Sequence, residues 1–110
     1  MQIKDIIFPL NLKVVTGENA LDKTIETGYI GDLLSVVMGK APEGCVWVTV
    51  QSHINIVAVA TLADIGCIIV SEGFVIDDEA IQKAVEENVV LLSSEESSYA
   101  IAKKLGQLGI

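Results

Sequence analysis

The sequence predicts an α/β domain with a mainly parallel sheet of about five strands, and three observations carry that reading. Residues Gly44 to Gly73 run as a strand, a polar corner, an unusually apolar helix and a second strand. That is a βαβ unit, with a crossover long enough to join parallel neighbours. Strand and helix patterns then keep alternating through the second half of the chain, as they do in α/β domains. Composition agrees: 51% of the residues are apolar but only 5% aromatic, so the core is aliphatic, as in a parallel sheet covered by helices.

Taken in order, Ile3, Ile6, Ile7 and Leu10 have helical spacing, and Pro9 predicts a short helix ending near Phe8. Asn11 to Val15 reads as a short strand, Thr16 to Asn19 as a turn, and Leu21 to Ile25 as an irregular connector. Thr27 to Asp32 is a strand with glycines on either side of Tyr29-Ile30, and Leu33 to Met38 is a short helical or irregular turn closed by Gly39. After the turn Pro42-Glu43-Gly44, the β-branched and aromatic run Val46 to Val50 suits a buried strand. Ser52 stands where an N-cap is expected for a helix over 54–65, and Gly66 stands where that helix must stop. Cys67 to Val70 is the next strand. Asp77 to Glu87 is a helix with an acidic first turn, a sheet-facing stripe of Ala80, Ile81, Ala84 and Val85, and Asn88 as its C-cap. Val89 to Leu92 is the last strand, and Ser97 to Leu108 the last helix, with Ile101, Ala102 and Leu105 on one face.

Length and charge bound the function. A chain of 110 residues is one domain of ordinary size, able to bury roughly two-thirds of its unfolded surface. Seven basic residues, all lysine, stand against 15 acidic ones for a net charge of −8. Nucleic-acid binders draw most of their affinity from cations against phosphates, so nucleic acid is an unfavourable partner, as is an anionic membrane surface. No run reaches the ~18 apolar residues of a membrane span, and Met1 to Asp5 lacks the pattern of a signal peptide. A cytoplasmic location is expected. Cys45 and Cys67 each open a strand and read as reduced, buried small residues; without a CxxC spacing they make no zinc site.

Polar residues gather at the carboxyl ends of the expected strands: Asp32 and Ser35; Gln51, Ser52, His53 and Asn55; Ser71 and Glu72; Ser93, Ser94 and Glu95. In a parallel sheet these line one rim, where ligands collect and where fresh helix N-termini could cradle an anion or nucleotide. The same residue types also serve simply to cap helices. His53, the only histidine, could be a general base, a metal ligand or a pH-sensitive contact; catalysis would need an orienting carboxylate, for which Asp32 and Glu72 are the candidates. No catalytic or metal residue is assigned, and no cofactor is expected. The helix over 54–65 is apolar nearly all round, which asks for cover on its second face. A homodimer with Ile54, Val57, Ala58 and Leu62 at its interface is therefore expected.

Asp22-Lys23-Thr24 followed by Thr27-Gly28-Tyr29-Ile30-Gly31-Asp32-Leu33-Leu34-Ser35 resembles the signature of the DRTGG domain family, and Trp47 to Val57 and Leu91 to Ser94 fit its free-standing members. The resemblance spans essentially the whole chain. It implies a three-layer α/β/α domain similar to the N-terminal domain of HPr kinase/phosphorylase, found elsewhere beside CBS domains in regulated pyrophosphatases and in phosphate acetyltransferases, and tending to dimerise. Two departures stand out: the family's Asp-Arg is Asp22-Lys23, and one of its paired glycines is Thr27. A lysine lacks the planar fork of an arginine. HPr kinase activity needs GxxxxGK[ST], and Gly39-Lys40-Ala41 has neither the preceding glycine nor the following hydroxyl. The expectation is a non-catalytic regulatory and dimerisation domain, binding a nucleotide or phosphorylated metabolite at the carboxyl rim. The alternatives are a protein-interaction subunit without small ligand, and a small enzyme using His53.

Overall fold

A computed structural model describes all residues, Met1–Ile110. The elements are α1 (Lys4–Ile7), β1 (Lys13–Thr16), a 3-10 turn (Glu18–Ala20), β2 (Gly28–Ile30), α2 (Leu34–Lys40), β3 (Val46–Thr49), α3 (Asn55–Leu62), β4 (Cys67–Val70), α4 (Asp78–Glu86), β5 (Leu91–Ser93) and α5 (Ser98–Gln107). The five strands lie in the order β1-β5-β4-β3-β2. Strands β2 to β5 are parallel, and β1 joins antiparallel to β5.

Alternation along the central strands sorts the core into two layers. Trp47, Ile68, Val70 and Leu91 point to the face covered by α2, α3 and α4, through Val37, Ile56, Val57, Val59, Ala60, Ala80 and Ala84. Val46, Val48, Cys67, Ile69 and Leu92 point to the other face, covered by Ile3, Ile6 and Leu10 from the first segment and Ile101 and Leu105 from α5. Every residue of β3 and β4 is buried, which is why these strands read as continuous apolar runs. The three-layer α/β/α architecture stands as expected.

Several local expectations are corrected. Ser52 does not cap α3: the cap position is Ile54, with no side-chain hydrogen bond, while the Ser52 carbonyl accepts from Asp77 N at 3.1 Å. Helix α3 stops at Leu62, and the left-handed residue that ends it is Asp64 (φ +54°), with Ile65 N reaching back to the Ala60 carbonyl at 2.9 Å. Gly66 has another purpose, since a Cβ there would stand 2.7 Å from the Gly44 carbonyl oxygen and 3.1 Å from that of Cys45. Gly39 does not close α2, which continues to Lys40. Val85 is 63% exposed rather than facing the sheet. Asn88 takes the left-handed position (φ +56°) just past Glu87, the C-cap of α4, one residue from where the sequence places the cap. Ser97, expected as the first residue of the last helix, is its N-cap and accepts from Ala100 N at 3.1 Å.

Candidate functional site

The carboxyl rim of the parallel strands is formed by four loops, and carboxylates join them. Asp32, after β2, accepts from Thr49 Oγ1 and from Val50 N, each at 2.9 Å, while its own carbonyl accepts from Gln51 Nε2 at 2.9 Å. Thr49 ends β3 fully buried, and its hydroxyl also accepts from Gln51 N at 3.1 Å. Trp47, on the same strand, donates its indole N–H to the Gly31 carbonyl at 2.9 Å. The loops after β2 and β3 are thereby fixed to each other.

The next seam joins the loops after β3 and β4. His53 Nδ1 lies 2.7 Å from Asp77 Oδ2, with the imidazole 70% and the carboxylate 48% exposed. Backbone Asp77 N to the Ser52 carbonyl runs alongside. Asp77 sits at the cap position of α4 without capping it, because its carboxylate turns to His53 instead. The third seam joins the loops after β4 and β5. Ser71, fully buried, places its hydroxyl 2.6 Å from that of Ser98. Glu72 holds a left-handed backbone (φ +65°) and accepts from Ser98 N at 3.3 Å, so a carboxylate sits on the first turn of α5. Ser94 Oγ accepts from Glu96 N at 3.0 Å, and Glu96 pairs with Lys104 at 2.8 Å.

Of the residues singled out by sequence, Asp32, Gln51, Ser71, Glu72 and Ser94 hold hydrogen bonds of the rim, and His53 holds the contact with Asp77. Ser35 and Asn55 lie exposed in the first turns of α2 and α3, outside these contacts. Glu95 is exposed and Ser93 half-buried at the end of β5. The carboxylate beside His53 is neither Asp32 nor Glu72 but Asp77. Thr49, Asp77 and Ser98 were not among the expected residues. The readable signal for Thr49 is a lone hydroxyl in an otherwise apolar strand; for Asp77 it is the next rim loop, which a parallel sheet sets beside that of His53. No group of three His, Cys, Asp or Glu side chains converges that could hold a metal ion.

Elsewhere the chemistry is quiet. Burial pushes the Cys45 thiol up to about 11 and, with the nearby Cys45 adding to it, the Cys67 thiol to about 12. The two belong to opposite faces of the sheet, and both are free. Neither is a nucleophile at neutral pH. On the helix expected at an interface, Ile54 (37%), Ala58 and Leu62 (75%) are exposed, while Val57 is buried within the chain. At the opposite, amino rim, Asp22-Lys23-Thr24 runs beside the first residues of the chain, with Ile3 N donating to the Lys23 carbonyl at 3.0 Å. Lys23 borders two clefts there, of about 340 and 500 Å³.

The model of one family, described as the DRTGG domain, matches residues 5–108. None of the curated proteins matches this chain. Among solved structures the chain is similar to the CBS and DRTGG domains of the regulatory region of Clostridium perfringens pyrophosphatase, crystallised with its activator diadenosine tetraphosphate. The identity is 14% and the TM-score 0.77, over 96% of this chain and 46% of that one. This chain thus spans under half of that neighbour's length, and the likeness is one of fold.

Proposed function

The chain belongs to the DRTGG domain family, and from that premise we propose that it is a non-catalytic regulatory domain whose carboxyl rim senses a nucleotide or phosphorylated metabolite. One observation carries the reading. The backbone donors to which a phosphate would dock, Val50 N and Ser98 N, are held by the chain's own carboxylates, Asp32 and Glu72. An anion arriving at the start of α5 would displace Glu72 and inherit its N–H contact. The exchange would loosen the seam between the loops after β4 and β5, so occupancy becomes a change in how the rim is joined. A catalytic reading has less support: His53 and Asp77 form a pair with no hydroxyl or thiol hydrogen-bonded to the imidazole.

Thermal unfolding against a panel of nucleotides and phosphorylated metabolites, diadenosine tetraphosphate included, at about millimolar concentration tests this. A ligand at 100 times its Kd adds roughly 2.7 kcal/mol, several degrees for a domain of this size. The reading expects a shift with at least one member, enlarged in Glu72→Ala, where the competing carboxylate is gone, and reduced in His53→Ala. Flat melting curves for both the wild type and Glu72→Ala would refute it.

The exposed stripe Ile54, Ala58 and Leu62 on α3 favours a second element of the same reading, a two-fold homodimer across that helix. Light scattering at about 50 µM is expected to give twice the monomer mass, and Leu62→Glu the monomer; a stable dimer needs about 800 Å² from each partner.

A further inference from the structure

The two edges of the sheet are treated differently. Strand β1 is blunted in the ways that discourage unwanted pairing: it begins with an exposed lysine, Lys13, and its register with β5 breaks between Val14 and Thr16. Strand β2, though only three residues long, has neither of these two devices. Gly28-Tyr29-Ile30 carries no charge, no proline and no register break.

Its backbone is also open. Val46 N donates to the Thr27 carbonyl at 2.9 Å, and Gly31 N to the Val48 carbonyl at 3.2 Å. In a parallel ladder with Gly28 opposite Val46 and Ile30 opposite Val48, these bonds assign the inward groups to Thr27, Tyr29 and Gly31. Gly28 and Ile30 therefore direct their N–H and C=O groups away from the sheet, and both residues are exposed. Tyr29 packs to the α2 face, against the core of that layer. On the α5 face, a cleft of about 180 Å³ lies beside the edge, bordered by Ile30, Val48, Ala102, Leu105, Gly106 and Ile110. It exists because Gly28, Ala102 and Gly106 bring almost no side chain to it; a Cβ on Gly106 would meet nothing within 4 Å.

We propose that this edge receives an extended peptide from a partner protein, which adds a strand beside β2 and seats one apolar side chain in the cleft. Unpaired backbone donors and acceptors select another backbone, and a pocket beside them selects alternate side chains. The size of the site argues for a single strand: three edge residues and one small cleft fall well short of the ~800 Å² per partner that two folded domains need. The site borders the loop after β2 but uses none of the rim's hydrogen-bonding residues, so it stands or falls independently of ligand sensing.

Selection of a phage-displayed library of random eight-residue peptides on the intact protein tests the proposal. The expected winners alternate apolar and polar residues, and a bound winner slows hydrogen exchange at the Gly28 and Ile30 amides. Ile30→Pro removes an outward N–H that the fold does not use, so it should leave the circular dichroism unchanged and weaken binding by roughly tenfold or more. Gly106→Leu fills the cleft without touching β2 and should weaken the same peptides. The absence of enriched peptides, or peptides that bind both variants as well as the wild type, would overturn the proposal. So would a wild-type dimer that Ile30→Pro dissociates, since the edge would then belong to a second copy of this chain.

Discussion

At the carboxyl ends of the parallel strands, side-chain carboxylates do the joining: Asp32 binds the corner after β3, Asp77 binds His53, and Glu72 binds the start of α5. At the amino ends main-chain bonds predominate, beside a single carboxyl pair of Glu43 and Asp64. Gly44 N donates to the Asp64 carbonyl at 2.7 Å, Gly66 N to the Cys45 carbonyl at 2.9 Å, and Gly66 leaves no room for even a methyl group. A carboxylate on a flexible stem can be exchanged for a ligand's oxygen while the main chain stays where it is. A main-chain seam has nothing to exchange. The comparison teaches where a small α/β domain holds joints that a ligand's oxygen could take over: at the rim where carboxylates supplement main-chain bonds such as Glu72 N to the Glu96 carbonyl at 2.8 Å.

The largest effect expected from breaking this contrast is at the fixed rim. Gly66→Ala drives a methyl into two carbonyl groups that belong to the backbone, and about 3 kcal/mol of stability should be lost, read from the midpoint of urea unfolding. Asp32→Ala, at the exchangeable rim, removes two hydrogen bonds to a partly solvated carboxylate and should cost about 1.5 kcal/mol by the same measurement. A loss at Asp32 equal to that at Gly66 would mean that the two rims are equally rigid, and the contrast would fail. The smallest effect is at Glu43, whose carboxyl is held above the usual range first by a hydrogen bond with Asp64 and then by that residue's charge. A raised acid favours the fold while protonated, and that contribution is lost as pH rises through its titration. Glu43→Gln should therefore be slightly more stable than wild type at pH 7, and the difference should vanish in acid, below the ordinary glutamate range near 4.3. Melting temperatures across that interval would check both the sign and the window.

How much of this was readable beforehand depends on the period of the signal. The continuous apolar runs of β3 and β4 and the βαβ spacing are local, and they led to the parallel sheet and its two covered faces. So did the acidic first turn of α4 and the left-handed Asn88. The polar rim was legible as a location, because strand ends in a parallel sheet fall together. Its wiring was not. That Asp77 turns away from its own helix to meet His53 depends on the distance between two loops 24 positions apart, which no local pattern encodes. Ser52 shows the converse: a good capping residue in a good position, which tertiary structure leaves uncapping while its carbonyl serves α4. Gly66 reads in the sequence as a helix stop, while the structure uses it for close backbone approach to Gly44; both select glycine.

The antiparallel seam between β1 and β5 has one more consequence. Lys13 lies opposite Ser93 and Val14 opposite Leu92, so the first strand of the domain is partnered only by its last. Strands β2, β3, β4 and β5 each find a neighbour next in sequence, while β1 must close a loop that encloses all of them. Such non-local closure slows folding relative to sequential pairing. It also makes the seam a clasp: an interruption anywhere between these two strands separates β1 from β5, so either half on its own carries one side of the clasp without the other.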